Sequence, residues 1–107
     1  MRKDVLAYLP IHDQFELGVL LVSTGTLQEL QRTGESPMNF FMRHARRDWG
    51  DIPDESARVN QETLARRGDP RYARRIISVY RSRRDTQLIC VTEEHGRSTI
   101  LLLETES

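Results

Sequence analysis

The sequence predicts an α+β domain in which two or three helices pack on one face of a roughly four-stranded, mainly antiparallel sheet, in the order β-α-α-α-β-β-β. Apolar residues recur at helical spacing until Gly68-Asp69-Pro70, and beyond that point they alternate as in β-strands. The chain has 107 residues, so we expect residues 1–107 to form a single domain. Residues 1–16 and 104–107 are expected to be less ordered than the rest.

The first third predicts one strand and one short helix. Residues 18–23 are a continuous run of mostly apolar β-formers, which predicts a buried strand. Residues 5–9 before it suggest a short strand or turn. In the helix that follows, Leu27 and Leu30 are expected to face inward and Gly34 to end it.

A second helix begins at Ser36-Pro37, because a capping serine followed by proline at the first helical position is a strong start signal. Its expected apolar stripe consists of Met38, Phe41, Met42, Ala45 and Trp49. The polar side of the same helix is a candidate binding face, formed by Arg43, His44, Arg46 and Arg47.

The segment Asp48-Trp49-Gly50-Asp51 predicts the turn between the second and third helices. Trp49 is interpreted as a core anchor whose indole N–H meets a carbonyl, the alternative being an exposed interface anchor. Gly50 is expected to adopt the left-handed conformation that closes a helix. Asp51 is expected to cap the third helix, which covers residues 54–67.

The last third predicts a β-meander. Strands are expected over residues 74–81, 87–92 and 98–103, joined by turns at 82–85 and 93–96. Cys90 alternates with apolar neighbours in the middle strand, which indicates an inert, buried thiol.

Charge is unevenly distributed although the net charge is zero. Residues 1–40 carry three basic and five acidic groups, and residues 85–107 carry one arginine and five acidic groups. Residues 41–84 carry twelve arginines against six acidic groups, and we call this stretch the arginine belt. A belt paired with carboxylates would be structural or face an acidic protein, whereas an unpaired belt would suit phosphate.

The meander offers a second candidate site, an arginine-rich rim that could hold phosphate. Its proposed members lie at strand ends or turns: Arg81, Arg83, Arg84, His95 and Arg97, with Tyr80 beside them. This architecture invites comparison with RelE-like ribonuclease toxins, which also end in an arginine-rich antiparallel meander. No motif matches, and such toxins are usually strongly basic, whereas this chain has an isoelectric point near 6.8.

Several classes of protein are disfavoured by composition. The single cysteine allows no internal disulfide, which fits a cytoplasmic setting. The three histidines and one cysteine have no metal-ligand spacing, so neither a metal nor a cofactor is expected. No apolar run approaches the roughly 20 residues of a membrane span, so no membrane partner is expected.

One set of motifs resembles a known family. It comprises His44, Asp48-Trp49-Gly50-Asp51, Asn60, Leu64, residues 75–80, Val91-Thr92-Glu93 and Arg97-Ser98-Thr99. Over roughly residues 16–104 the chain resembles small bacterial proteins called hypothetical or plasmid-related. It departs from their pattern at the Glu94-His95-Gly96 turn, and by having Leu88 or Ile89 where an aromatic residue is common. The resemblance implies a mobile-element setting and no known reaction, so no catalytic residue is carried over.

The sequence therefore predicts a small cytosolic accessory protein that binds a macromolecule without catalysis. A protein partner is the first expectation, with inhibition of a host defence complex as one form of it. The alternative is a RelE-like ribonuclease or a nucleic-acid-binding protein that uses the arginine-rich meander. Oligomeric state stays open.

Overall fold

The fold is α+β, as the sequence predicts, with three helices and a four-stranded mixed sheet in the order β-α-α-α-β-β-β. The computed structural model describes residues 14–107, so the expected strand or turn at residues 5–9 lies outside it. The strands are β1 (Val19–Val22), β2 (Ile76–Arg81), β3 (Gln87–Thr92) and β4 (Ser98–Leu103). The helices are α1 (Thr24–Thr33), α2 (Pro37–Ala45) and α3 (Asp54–Ala65), with 3-10 turns at Pro70–Tyr72 and Glu104–Glu106.

The strands lie in the order β1-β4-β3-β2. β2, β3 and β4 form the predicted antiparallel meander, and β1 joins it parallel to β4. The three helices carry the chain from one edge of the sheet to the other, which is why the first strand lies beside the last. Within residues 14–107, β1 and β2 are the edge strands.

The core lies on one face of the sheet, which we call the inner face. Alternate strand residues point into it, because successive side chains of a strand face opposite sides. Helices α1 and α2 cover this face. The buried apolar cluster unites both helices with three strands and consists of Leu30, Phe40, Phe41, Tyr80, Leu88, Cys90 and Leu101.

Capping of the first two helices follows local sequence signals. Ser23 Oγ accepts from the Thr26 N–H at the start of α1, and Gly34 ends that helix at a φ of 75°, as predicted. Ser36 caps α2, with Pro37 at the first helical position, also as predicted.

The buried side of α2 differs from the predicted stripe by about one position. Phe41, Ala45 and Trp49 are buried as expected, but Met38 is exposed. Phe40 and His44 are buried in addition, so His44 does not lie on the polar face with the arginines. The reason is that His44 finds hydroxyl partners on the sheet, which no local pattern reveals.

β1 was predicted to be buried, and this prediction is wrong. The side chains of Val19, Leu20 and Leu21 are 63%, 38% and 46% exposed. Continuous apolar runs suit central strands covered on both faces, whereas β1 has one neighbouring strand, β4, in the described part of the chain. Leu27 of α1, expected to face inward, is also exposed.

The segment from Trp49 to Asp51 covers the outer edge of β2. The Val79 N–H donates to the Trp49 carbonyl at 3.1 Å, and the Asp51 N–H donates to the Val79 carbonyl at 2.8 Å. Gly50 has the expected positive φ, 72°, but α2 already ends at Ala45. The conformation serves the close approach to β2, because a Cβ on Gly50 would lie 2.0 Å from the Val79 carbonyl oxygen.

Asp51 is not the cap of α3, contrary to the prediction. Pro53 immediately precedes that helix and makes no side-chain cap hydrogen bond. Asp54 and Glu55 occupy the first turn, where the helix dipole favours acidic groups.

The chain end is tied to α1 rather than loose. The Glu106 carboxylate accepts from Ser23 Oγ at 2.6 Å and from the Leu103 N–H at 2.7 Å. Among residues 14–107 no helix is long and apolar enough to span a bilayer.

Candidate functional site

The face of the sheet opposite the core, which we call the outer face, is apolar across all four strands. Strand alternation and register place eight aliphatic side chains there: Val19, Leu21, Ile77, Val79, Ile89, Val91, Ile100 and Leu102. Ile77 is 39% exposed, and the residues of β3 and β4 are half-buried. α1 and α2 pack on the inner face, and the main contacts of α3 with the sheet are with β2. An antiparallel sheet with one wet face usually carries polar residues there, so this face is unusual.

The outer face deepens into a groove where it meets α3. A cavity of about 400 Å³ lies between β2 and the helix, and its apolar lining includes Ile52, Val59, Ile77 and Val79. Polar groups stand at its margin, namely Asp51, Glu55, Asn60 and Arg75. Predominantly apolar clefts with a few polar groups are typical binding sites.

The predicted arginine-rich rim does not form one cluster. Arg81, Arg83 and Arg84 lie at the β2–β3 turn, whereas His95 and Arg97 lie at the β3–β4 turn. Successive turns of a meander lie at opposite ends of the sheet, so the six residues of β3, about 20 Å, separate the two groups. A phosphate held by the first group would therefore be out of reach of His95.

Most of the first group is already engaged. Arg81 lies 3.7 Å from the Asp51 carboxylate and 3.4 Å from that of Asp85. Arg84 lies 3.9 Å from the Glu29 carboxylate, and Arg83 donates to the Thr33 carbonyl at 3.2 Å. These contacts join the β2–β3 turn to α1, which favours a structural role.

The predicted binding face of α2 is also divided. Arg43 forms a two-pronged pair with Asp48, with 2.7 Å between Nε and Oδ2, and lies over the Tyr80 ring. The Arg43 hydrogen bond holds the pKa of the Asp48 carboxyl below its usual value. Arg47 donates to Gln61 at 3.3 Å, and Arg46 is exposed. His44 is buried, so the four residues share no surface.

The arginine belt as a whole is therefore partly paired. Arg43, Arg58, Arg71, Arg74, Arg81 and Arg84 all lie within 4.0 Å of a carboxylate. Exposed ion pairs contribute little to stability, but they reduce the positive field that a nucleic acid would meet.

His95 lines a cleft on the other end of the molecule. Two adjoining cavities of about 380 and 420 Å³ share His95 and Arg67 in their walls. The Arg67 guanidinium lies over the Phe15 ring, 6.0 Å from its centre. Acidic groups line the cleft as well, namely Glu16, Asp69 and Glu94, so it is not distinctly positive.

A buried polar network, absent from the sequence predictions, joins α2 to three strands. His44 contacts Ser78 Oγ through Nδ1 and Thr92 Oγ1 through Nε2, the latter at 2.9 Å. Thr92 and Thr99 hydroxyls lie 2.7 Å apart, and Thr99 donates to the Leu17 carbonyl at 2.7 Å. His44 is 34 residues from Ser78 and 48 residues from Thr92 along the chain, so only the fold brings them together.

The Leu17 carbonyl at the end of this network fixes the direction of each hydrogen bond as far as His44 Nε2. Because Thr99 donates to a carbonyl, it accepts from Thr92, and Thr92 then accepts from the His44 Nε2–H. His44 therefore carries a proton on Nε2, and in the neutral ring that burial favours Nδ1 accepts from Ser78. Burial lowers the pKa of His44 to about 4.

Ser78 and His44 resemble a nucleophile and its base, but neither has exposed surface. A substrate carbonyl cannot reach the serine, so the pair is structural. Cys90 is fully buried as predicted, and burial raises the pKa of its thiol. In the described part of the chain no three His, Cys, Asp or Glu side chains are arranged to hold a metal ion.

Comparisons with protein-family models, curated proteins and solved structures found no match. Of the nineteen residues behind the sequence resemblance, eight lie in the interior and eleven are partly or fully exposed. The buried ones are His44, Trp49, Asn60, Ile76, Ser78, Tyr80, Thr92 and Thr99. The buried members therefore account for how the helices are fixed to the sheet, whereas Ile77, Val79 and Val91 belong to the outer face, which is the stronger candidate for function.

Proposed function

We propose that the protein is a non-enzymatic module that binds another protein through the outer face of its sheet. The observation that carries this proposal is the row of eight uncharged aliphatic side chains across four strands. Contiguous exposed apolar surface is costly in water and, where it occurs, typically marks an interaction site. The groove beside α3 offers a pocket for an apolar side chain of the partner.

The surroundings of this face support a protein partner over a nucleic acid. Nucleic acids are bound mainly through phosphates, which need unpaired basic groups. The outer face has none across its centre, and half of the arginines in the belt are paired with carboxylates. The separation of Arg81 from His95 likewise removes the geometry on which a ribonuclease site would depend.

The proposed setting is the bacterial cytoplasm, in a cell that carries a mobile genetic element. Support comes from the single, buried cysteine and from the resemblance to plasmid-related proteins. A small binding module in this setting suits a blocking role against a host defence complex, and we propose that role as its biological purpose.

The experiment compares capture of proteins from a bacterial lysate by the immobilised chain and by two single variants. Ile77→Lys places a charge on the outer face, and Leu27→Lys places one on α1, on the opposite side. The two positions are matched controls, because Ile77 is 39% and Leu27 42% exposed. We expect a stoichiometric partner that is retained by Leu27→Lys and lost by Ile77→Lys, with both variants keeping the circular dichroism of the parent.

Two results would contradict the proposal. One is a partner that both variants retain equally, because binding would then occur elsewhere. The other is micromolar binding to single- or double-stranded nucleic acid at physiological salt that is lost in the Arg46→Glu/Arg47→Glu variant. That loss would move the function to the arginine belt.

A further inference from the structure

We propose that a second copy of this chain pairs with the free edge of β1, joining two sheets into one of eight strands. β1 is hydrogen-bonded to β4 on one side, and no described residue is paired with its other side. The inference goes beyond the binding role of the outer face, because it concerns the edge of the sheet.

The two edges of the sheet differ in how their backbone groups are hydrogen-bonded. On β2, Val79 is paired with the Trp49–Asp51 segment, and Ile77 is paired with Asn60 on α3. β1 is short, with four residues, but it has no charged residue, proline or bulge, and no described residue covers its edge. An edge that is left open beside one that is closed indicates a surface for strand addition.

Charge favours a second copy as the occupant. No charged residue occurs between Glu16 and Glu29, so two β1 strands can approach without opposing like charges. The exposed side chains of Val19, Leu20 and Leu21 supply apolar contacts on both sides of the new junction. A strand also complements itself when it pairs antiparallel about a two-fold axis, which makes a closed dimer.

The direction of the backbone groups gives the register. The Val19 N–H donates to the carbonyl of Arg97, just before β4, at 2.9 Å, and the Ser23 N–H donates to the Leu101 carbonyl of β4 at 3.1 Å. Strand alternation then turns the N–H and C=O groups of Leu20 and Val22 toward the free edge. Pairing of Leu20 with Val22 of the second copy satisfies all of these groups and places Leu21 opposite Leu21 at the two-fold axis.

Cross-linking tests this register directly. In a non-hydrogen-bonded antiparallel pair the two Cα atoms lie about 4.5 Å apart, within the roughly 4.4–6.8 Å that a disulfide spans. Leu21→Cys should therefore oxidise to a covalent dimer. Val19→Cys is the control, because the two copies of residue 19 would lie about 13 Å apart although Val19 is the more exposed side chain. We expect at least about tenfold more dimer from Leu21→Cys, and the buried Cys90 does not compete.

Sedimentation of the full chain provides the second measurement. The parent should reach twice its 12.5 kDa mass at high micromolar concentration. Leu20→Pro, which removes an N–H at the free edge, should stay monomeric, and so should Leu21→Lys, which sets like charges at the axis. Because Leu21 also lies on the outer face, Leu21→Lys is interpreted together with the Leu21→Cys cross-link, and the two keep the test valid if the proline variant fails to fold.

A parent that stays monomeric over the same range overturns the proposal. So does a dimer that survives both variants, or equal cross-linking at positions 19 and 21. A dimer that is broken by Ile77→Lys but not by Leu20→Pro places the contact on the outer face and also overturns it. Leu20→Pro leaves Ile77 unchanged, so the two proposals fail independently.

Discussion

The side chain of Asn60 completes the hydrogen bonding of Ile77 as a neighbouring strand would. Asn60 Nδ2 donates to the Ile77 carbonyl at 2.9 Å, and Asn60 Oδ1 accepts from the Ile77 N–H at 3.3 Å. One amide on α3 thus closes the part of the β2 edge that the Trp49–Asp51 segment does not reach. This relationship fixes the third helix at the edge of the sheet, beside the groove.

Replacing Asn60 with leucine should destabilise the protein by about 2 kcal/mol, because both backbone groups of Ile77 lose a partner. The free energy of unfolding is measured with urea. Gln61→Leu is the control, since it removes an exposed amide from the next position of the same helix. Equal losses in both variants would mean that the hydrogen bonds between Asn60 and Ile77 contribute no stability of their own.

Gly50→Ala and Gly34→Ala form a matched pair, because the φ angles of the two glycines are 72° and 75°. A Cβ on Gly34 meets nothing within 4 Å. Alanine there should therefore lower the free energy of unfolding by about 1 kcal/mol, the cost of holding a residue with a side chain in the left-handed conformation. At Gly50 the Val79 carbonyl must also move, which should add about 1–3 kcal/mol. Thermal unfolding of both variants measures the difference, and identical midpoints would contradict the close approach.

Stability should fall as the pH drops from about 6.5 toward 4. The pKa of His44 is about 4 in the folded protein, below its ordinary 6.5, so the unfolded chain binds the proton first and is favoured on acidification. The loss from this group should reach about 2 kcal/mol by pH 5 and about 3 kcal/mol below pH 4.

His44→Gln isolates this contribution, because glutamine does not titrate. The variant should be less stable at pH 7 yet show a flatter dependence between pH 5 and 7, measured by urea unfolding. A dependence as steep as that of the parent would show that His44 is not the responsible group. The acidic groups with lowered pKa, such as Asp48, lose their contribution at lower pH.

Trp49 is buried, as predicted, so its fluorescence should be blue-shifted in the native protein and red-shifted on unfolding. Trp49→Ala should cost about 3–5 kcal/mol. The expected carbonyl partner of the indole is not found among the described residues, where Nε1 is buried without a hydrogen bond. Trp49→Phe should therefore cost only about 1–2 kcal/mol, because shape and apolar area are largely kept. A loss as large as that of alanine would indicate an unseen partner for the indole N–H.

Local signals in the sequence determined most of the secondary structure. The bounds of β3 and β4 match the predicted ones, because alternation and turn residues act within a few positions. The start of α2 at Ser36-Pro37 and the end of α1 at Gly34 follow from capping, which is equally local.

The tertiary structure decided which surfaces are free. The sequence of β1 suits a central strand, and only the return of β4 beside it leaves it at an edge with exposed side chains. The burial of His44 depends on hydroxyl groups 34 and 48 residues away, so its helical position alone suggested the wrong face. The apolar outer face likewise depends on the tertiary structure. Strand register places alternate residues of the four strands on one side of the sheet, and α1 and α2 cover the other side. Local patterns predict which side chains share a face of one helix or strand. Residues distant in the chain determine which of those faces is covered.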